Sequence, residues 1–328
     1  MKREFKRVFN SGLTLVELMI GLALSLMILG GAISVFISSK ESFRLEEDVS
    51  AMQENFRFIA DRLNKDLSMV GYTGCAMPYV DNTPTVDAFV SGIGVTDVIQ
   101  GVEGGASPDS ITVSFALPES GIAVIDGGAT LASPLYVSKN LPLYQSLADN
   151  FGSTTPVPVT LLVGNCDHAN IFLVTGVADV TSPNGLTAGS IAHDTTSNIG
   201  GVSNTSTTLS DRYGASDVSN SKVFEMESVT YEIATVGGVT GLYESRNGAA
   251  KQLVLDNITD FQVLYGIDSQ TSEDGNADHY VDWSSSLRIA DITSIKVTLT
   301  LVVSQQNGTD VTRNYTFIVK LRDMGLDV

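Results

Sequence analysis

The sequence is short of the side chains that carry most acid–base and metal chemistry, with three His and two Cys in 328 residues. Two cysteines are too few for a disulfide scaffold or a four-thiolate metal site. His168, His193 and His279 stand in separate segments, and no G-x-S-x-G, H-E-x-x-H or Walker A motif is present. Basic residues are also scarce: 19 Lys+Arg face 37 Asp+Glu, a formal net charge of −18. That balance excludes a general nucleic-acid binder, which needs clustered Lys and Arg to neutralise phosphates. Charged residues of both signs make up only 17% of the chain against 43% hydrophobic. This is too apolar for an acidic disordered chain and enough to fill a sizeable core. No proline occurs before Pro78. The residues describe a folded, acidic protein with no pattern of an enzyme.

The charge is unevenly placed. Met1 to Gly12 holds Lys2, Arg3, Lys6 and Arg7 against Glu4, a net +3. An apolar run from Leu13 to about Ile37 follows, and Leu18–Ile37 is twenty residues without a charge. At ~1.5 Å per residue that is a helix of ~30 Å, the thickness of a bilayer core. Basic flanks stay cytoplasmic, so the chain after Ser38 is expected to be exported, giving a single-pass inner-membrane protein before any assembly. A secretory signal peptide has a shorter apolar core of ~7–15 residues and a small-residue cleavage site after it. A plain anchor leaves Glu17 unexplained, because a carboxylate in an apolar helix is costly without a partner.

Gly12-Leu13-Thr14-Leu15-Val16-Glu17-Leu18 resembles the class III signal of type IV prepilins: a short basic leader, a Gly before the cut, an apolar first residue and Glu five residues on. The usual first residue is Phe, and Leu13 stands there instead. The resemblance implies removal of leader 1–12 by the prepilin peptidase between Gly12 and Leu13, then N-methylation of Leu13. It also implies that Glu17 pairs with the new N-terminal amine of a neighbouring subunit. The exported chain would carry −18 − 3 = −21. Opposite charges attract strongly in a low-dielectric medium where each alone is heavily penalised, so the pairing is physically reasonable.

The helical pattern continues past the apolar run. Leu45, Val49, Met52, Phe56, Ile59, Leu63, Leu67 and Val70 recur at three- and four-residue steps, with charged residues opposite. This predicts one helix over about 13–70: a membrane and filament-core part at 13–39 and an amphipathic part at 40–70 packed on the head, with Gly71 as its stop. Gly30-Gly31 and Ser34 weaken the helix midway, and local melting there on assembly is expected. Beyond Gly71 short β-rich runs recur, clearest at 111–117, 157–163, 171–177, 223–236, 258–267, 292–303 and 311–321. No amphipathic helix is apparent between them, so the expected fold is α+β, pilin-like: a long N-terminal helix packed on a large antiparallel β head at 71–328. Residues 181–221 contain 16 Ser or Thr and six Gly or Pro, and read as exposed loop.

Met52-Gln53-Glu54-Asn55, Arg57-Phe58, Asp66-Leu67, Gly71-Tyr72 and Gly74-Cys75 resemble the PilW family of minor pilins, related to the J-type pseudopilins of type II secretion. Cys166-Asp167-His168-Ala169 with Phe172, and Phe261 to Gly266, are similar to its later segments. Thiols in an exported domain oxidise, and Cys75 and Cys166 allow one pairing, closing a loop of about 90 residues worth ~4 kcal/mol in the chain-entropy model. A metal site on Cys166 and His168 lacks two further ligands. Asp268, Glu273, Asp274, Asn276 and Asp278 form an acidic stretch that reads either as a hairpin tip or as a loop wrapping Ca²⁺, without EF-hand spacing. No other cofactor is expected.

The resemblance implies a minor pilin that primes pilus assembly and sits at or near the tip. Its partners would be other minor pilins, the major pilin and a tip adhesin, with inner-membrane lipid around the helix before assembly and no nucleic acid. A J-like pseudopilin of a type II secretion system and a ligand-binding tip adhesin are the alternatives.

Overall fold

The structure, a computed structural model, describes residues 14–75, 98–215, 220–268, 275–304 and 310–321, together with 79–80, 83–84, 86–88 and 90–91. The chain divides into a unit ending at Asn55 and a unit from Phe56 onward. One α-helix, α1 (Leu15–Leu67), runs through both. From Leu15 to Leu45 its large apolar residues are bare: Met27 is 78% exposed, and none of its most apolar 18-residue window is buried. Gly30 and Gly31 are helical here, with open space where a side chain would stand.

In the second unit the expected stripe does its packing. Ile59, Leu63, Leu67 and Val70 are fully buried, and Phe56 stacks on Tyr315 at 4.6 Å and meets Phe317 edge-on at 5.9 Å. The helix ends three residues earlier than expected. Its last amides tighten onto nearer carbonyls, Met69 N–H to Asp66 O and Val70 N–H to Leu67 O. Gly71 then takes φ 72°, the left-handed value that a glycine stop supplies.

The strands at 110–116, 222–236, 258–267, 292–304 and 310–320 fall close to the runs read from the sequence. A twelve-stranded sheet is organised by the fifteen-residue strand Lys222–Val236. Its first half pairs with Ile122–Asp126 and Thr160–Gly164, and its second half with Ser110–Ala116 and Val239–Arg246. A four-stranded antiparallel sheet runs His279–Val281, Ile258–Ile267, Ile292–Ser304 and Asp310–Lys320. The alternation of Ile295, Val297, Leu299 and Leu301 puts all four in the core. Asp109 joins the two sheets: its backbone N–H donates to Phe261 O at 2.8 Å, and its carboxylate accepts Val263 N–H at 2.8 Å. Among the described residues the pairing is antiparallel apart from Val86–Ala88, which lies parallel to Ala169–Leu173.

Three details differ from the sequence reading. A second helix, α2 (Pro142–Phe151), interrupts the strands. It is only three turns long, starts on a proline, and buries just Leu143, Tyr144 and Leu147, too short a pattern to stand out. The run 171–177 is two strands, Ala169–Leu173 and Gly176–Thr181. Residues 181–221 are not simply exposed loop. Thr187–Ala192 is an interior strand between Gly176–Thr181 and Leu135–Val137, and Ile191, Leu209 and Tyr213 are buried. Ser/Thr-rich composition hid this because Thr suits a strand as well as a loop. Gly189 is required there, since a Cβ would stand 2.0 Å from the Tyr144 ring of α2.

Candidate functional site

The first candidate site is the start of α1. Gly12 and Leu13, expected at the cleavage and methylation point, lie outside the described residues. Thr14 precedes the first helical residue, and its Oγ1 accepts the Glu17 N–H at 3.3 Å. Thr14-Leu15-Val16-Glu17 is therefore a capping-box sequence, a local signal missed in the sequence reading. Glu17 also stands in the first turn, where a carboxylate offsets the positive end of the helix dipole. Leu15, Val16, Leu18, Met19 and Ile20 around it are all exposed. The helix is long and apolar enough to cross a membrane.

The second is a charged lock near the other end of the same helix. Arg62 and Asp66 are four residues apart on α1 and so share a face. Glu244 and Arg246 alternate along Val239–Arg246, and Glu227 and Tyr231 lie on the neighbouring strand. Arg62 donates to both Glu244 oxygens, Nε at 2.7 Å and Nη2 at 2.5 Å. Arg246 reaches Asp66 at 2.6 Å, Glu244 at 3.3 Å, and Glu227. The Tyr231 hydroxyl donates to Asp66 at 2.6 Å. Asp66, Glu244 and Tyr231 are buried. Burial pushes the Glu244 carboxyl up, but hydrogen bonds from Arg62 and Arg246 outweigh it and hold it below the usual carboxylate value. Burial and the bond to Asp66 push the Tyr231 hydroxyl well up, so it remains a donor. None of the three partners of Asp66 and Glu244, which are Arg62, Arg246 and Tyr231, was singled out from the sequence. Charged residues at two-residue spacing inside a strand were the available signal, but their pairing spans up to 182 positions.

The third is the bridge. Cys75 and Cys166 form a disulfide across 91 positions. It ties the segment after α1 to the turn between Thr160–Gly164 and Ala169–Leu173. In that turn Asn165 Oδ1 accepts the N–H groups of Asp167 at 2.8 Å and His168 at 2.7 Å. With its sulfur in the bridge, Cys166 is not a thiolate ligand beside His168.

Of the acidic stretch, Glu273 and Asp274 lie outside the described residues. Asp268 is buried, its Oδ2 accepting Gly275 N–H at 2.7 Å, while Asn276 and Asp278 are exposed. Among the described residues no three His, Cys, Asp or Glu side chains gather into a metal site.

Residues 213–324 match the family model of type IV pilus-assembly protein W, PilW. The C-terminal third of the chain is thus similar to the PilW family. The match takes in Tyr231, Glu244 and Arg246, the sheet side of the lock, and the whole four-stranded sheet. No curated protein and no solved structure matches the chain. The match supports a type IV pilus-associated protein, and the long N-terminal helix followed by a large antiparallel head is a pilin-like α+β fold.

Proposed function

We propose that this chain is a minor pilin of the PilW family that helps prime pilus assembly and stands at or near the pilus tip. The supporting observation is the bare apolar surface of α1 behind a capped first turn that presents Glu17. Such a surface is at home in lipid and then among other pilin helices, where a spine can form without the head rearranging. The basic leader would hold the N-terminus in the cytoplasm, with the head in the periplasm. Cleavage between Gly12 and Leu13 frees an amine, and the Glu17 carboxylate of one subunit receives the methylated Leu13 amine of the next. A head of 328 − 70 = 258 residues is bulky for repeated lateral packing and favours the filament end. The work is binding among other minor pilins, the major pilin and a tip component, with no bond-making step.

Deleting the chain should reduce pilus number, and an unchanged number would overturn priming. E17Q separates pairing from capping, because Gln also closes a capping box. The E17Q chain should insert in the membrane normally yet enter sheared pili at less than about a tenth of the native level, the loss of a strong charge pair. Native-level entry would remove the Glu17–amine pair.

A further inference from the structure

Beside the lock lies a cleft of about 950 Å³, within the unit from Phe56 onward. Its walls are the last turns of α1, the Leu117–Ile122 segment, the start of α2, and the strand Lys222–Val236. Glu225 lies in this cleft, half-buried. Its backbone is pinned: the N–H donates to Ser120 Oγ at 2.8 Å, and the carbonyl accepts Leu117 N–H at 2.8 Å. Its carboxylate makes no hydrogen bond or ion pair with any described residue.

The cations lining the cleft are Arg62, Lys65 and Arg246. Arg62 is held by Glu244, and Arg246 by Asp66, Glu227 and Glu244. Lys65 is exposed and forms no ion pair with a described residue. Burial pushes the Glu225 carboxyl up, and the nearby Glu227 charge adds to that. With Arg62 and Arg246 held by other carboxylates and Lys65 exposed to solvent, the half-buried Glu225 carboxylate beside a like charge has no positive partner among the described residues. Leu117, Pro118, Leu141 and Pro142 supply carbon surface on the same cleft.

We propose that the cleft receives an Arg or Lys side chain from a neighbouring pilus subunit, with Glu225 as its anion and the apolar lining as the bed for its aliphatic stem. A basic side chain suits both features, since its stem packs on carbon while its head seeks charge. A second copy of this chain is a poor occupant, because each exported copy would carry −21 and repel the other. The occupant comes from a pilus subunit because Arg62, Lys65 and Asp66 of α1 form one wall, so a helix packed alongside passes the mouth of the cleft. This identity of the occupant rests on the minor-pilin reading.

The test uses the full chain in piliated cells, with a photo-crosslinking amino acid in place of Ser146, an exposed residue of α2 on the cleft. The expected product joins it to another pilus subunit, through a peptide containing Arg or Lys. E225R should cut the yield about tenfold or more, as losing a central charged contact does, and replacing the partner's basic residue by Glu should restore it. E225Q, which keeps shape, should show an intermediate loss with the disulfide intact and the melting temperature not lowered. If the chain enters sheared pili but forms no crosslink to a subunit, or the joined peptide lacks a basic residue, or E225R leaves the yield unchanged, the cleft inference fails and the minor-pilin reading stands. If the chain inserts in the membrane but never enters pili, the minor-pilin reading fails and takes this one with it.

Discussion

Arg246 does the most at the scale of a single residue, because it holds three carboxylates at once: Asp66, Glu227 and Glu244. Removing it leaves Asp66 and Glu244 buried with fewer donors. R246M keeps the stem, so the change is chiefly electrostatic, and it should cost about 3 kcal/mol, the low end for breaking a buried pair because Arg246 is partly exposed. Thermal and chemical denaturation of the full chain in detergent would check it. The Glu244 carboxyl titrates lower in the folded state than its ordinary 4.5, so its contribution is complete above pH 4.5 and is lost as pH falls through the folded value. Stability should decline in that acid window, and E244Q should flatten the decline. Glu225 has the opposite sign. Its folded value is raised above 4.5, so it is least unfavourable when protonated, and stability drops as pH rises through the folded value. E225Q should therefore raise the melting temperature at pH 7 and leave it unchanged near pH 3. An unchanged or lowered temperature at pH 7 would mean that the carboxylate has a stabilising partner. Residues kept at a cost to stability are common where a surface has work to do.

Among elements, α1 was the most legible. Its apolar run, its three- and four-residue stripe and the glycine after it all survive in the structure, because a helix is specified by neighbours along the chain. Long strands were legible for the same reason, with side chains alternating every two residues. α2 and Thr187–Ala192 were missed because each is short and draws its stability from what covers it. Tyr144 of α2, for instance, packs over Gly189 and donates to Asp179 at 2.9 Å, and burial with that bond raises its hydroxyl to about 12. The Cys75–Cys166 bridge is the element-scale device that local pattern could only suggest. Replacing both cysteines by Ala should lower unfolding free energy by up to ~4 kcal/mol, the chain-entropy value for a loop of this size. Denaturant titrations with and without reductant would measure it. Two reactive thiols in the oxidised native protein would disprove the bridge.

For the whole molecule, the two sheets share load. Lys222–Val236 serves both halves of the larger sheet, and Asp109 bonds that sheet to the smaller one. The unit from Phe56 onward should therefore unfold in one transition. Trp283, 5.1 Å from the Tyr265 ring of the smaller sheet, reports that sheet by fluorescence, while far-UV circular dichroism reports the average of both. The two curves should coincide for the native chain and for V229A, whose buried side chain sits on the shared strand, with V229A shifted by about 2 kcal/mol. Separate transitions would show two independently folding sheets.

The amino-acid order alone settled the properties that arise from neighbours along the chain: a basic N-terminal stretch, an apolar helix long enough to span a bilayer and an acidic β-rich segment beyond it. Folding decided which distant charges meet. Arg62 and Asp66 look like any solvated helix face until Glu244, Arg246 and Tyr231, more than 160 positions away, close on them. Glu225 looks like one more strand carboxylate until the arginines lining its cleft are seen to be held by other carboxylates. Pairing across such distances depends on how the sheet folds back on the helix, and no local periodicity encodes it.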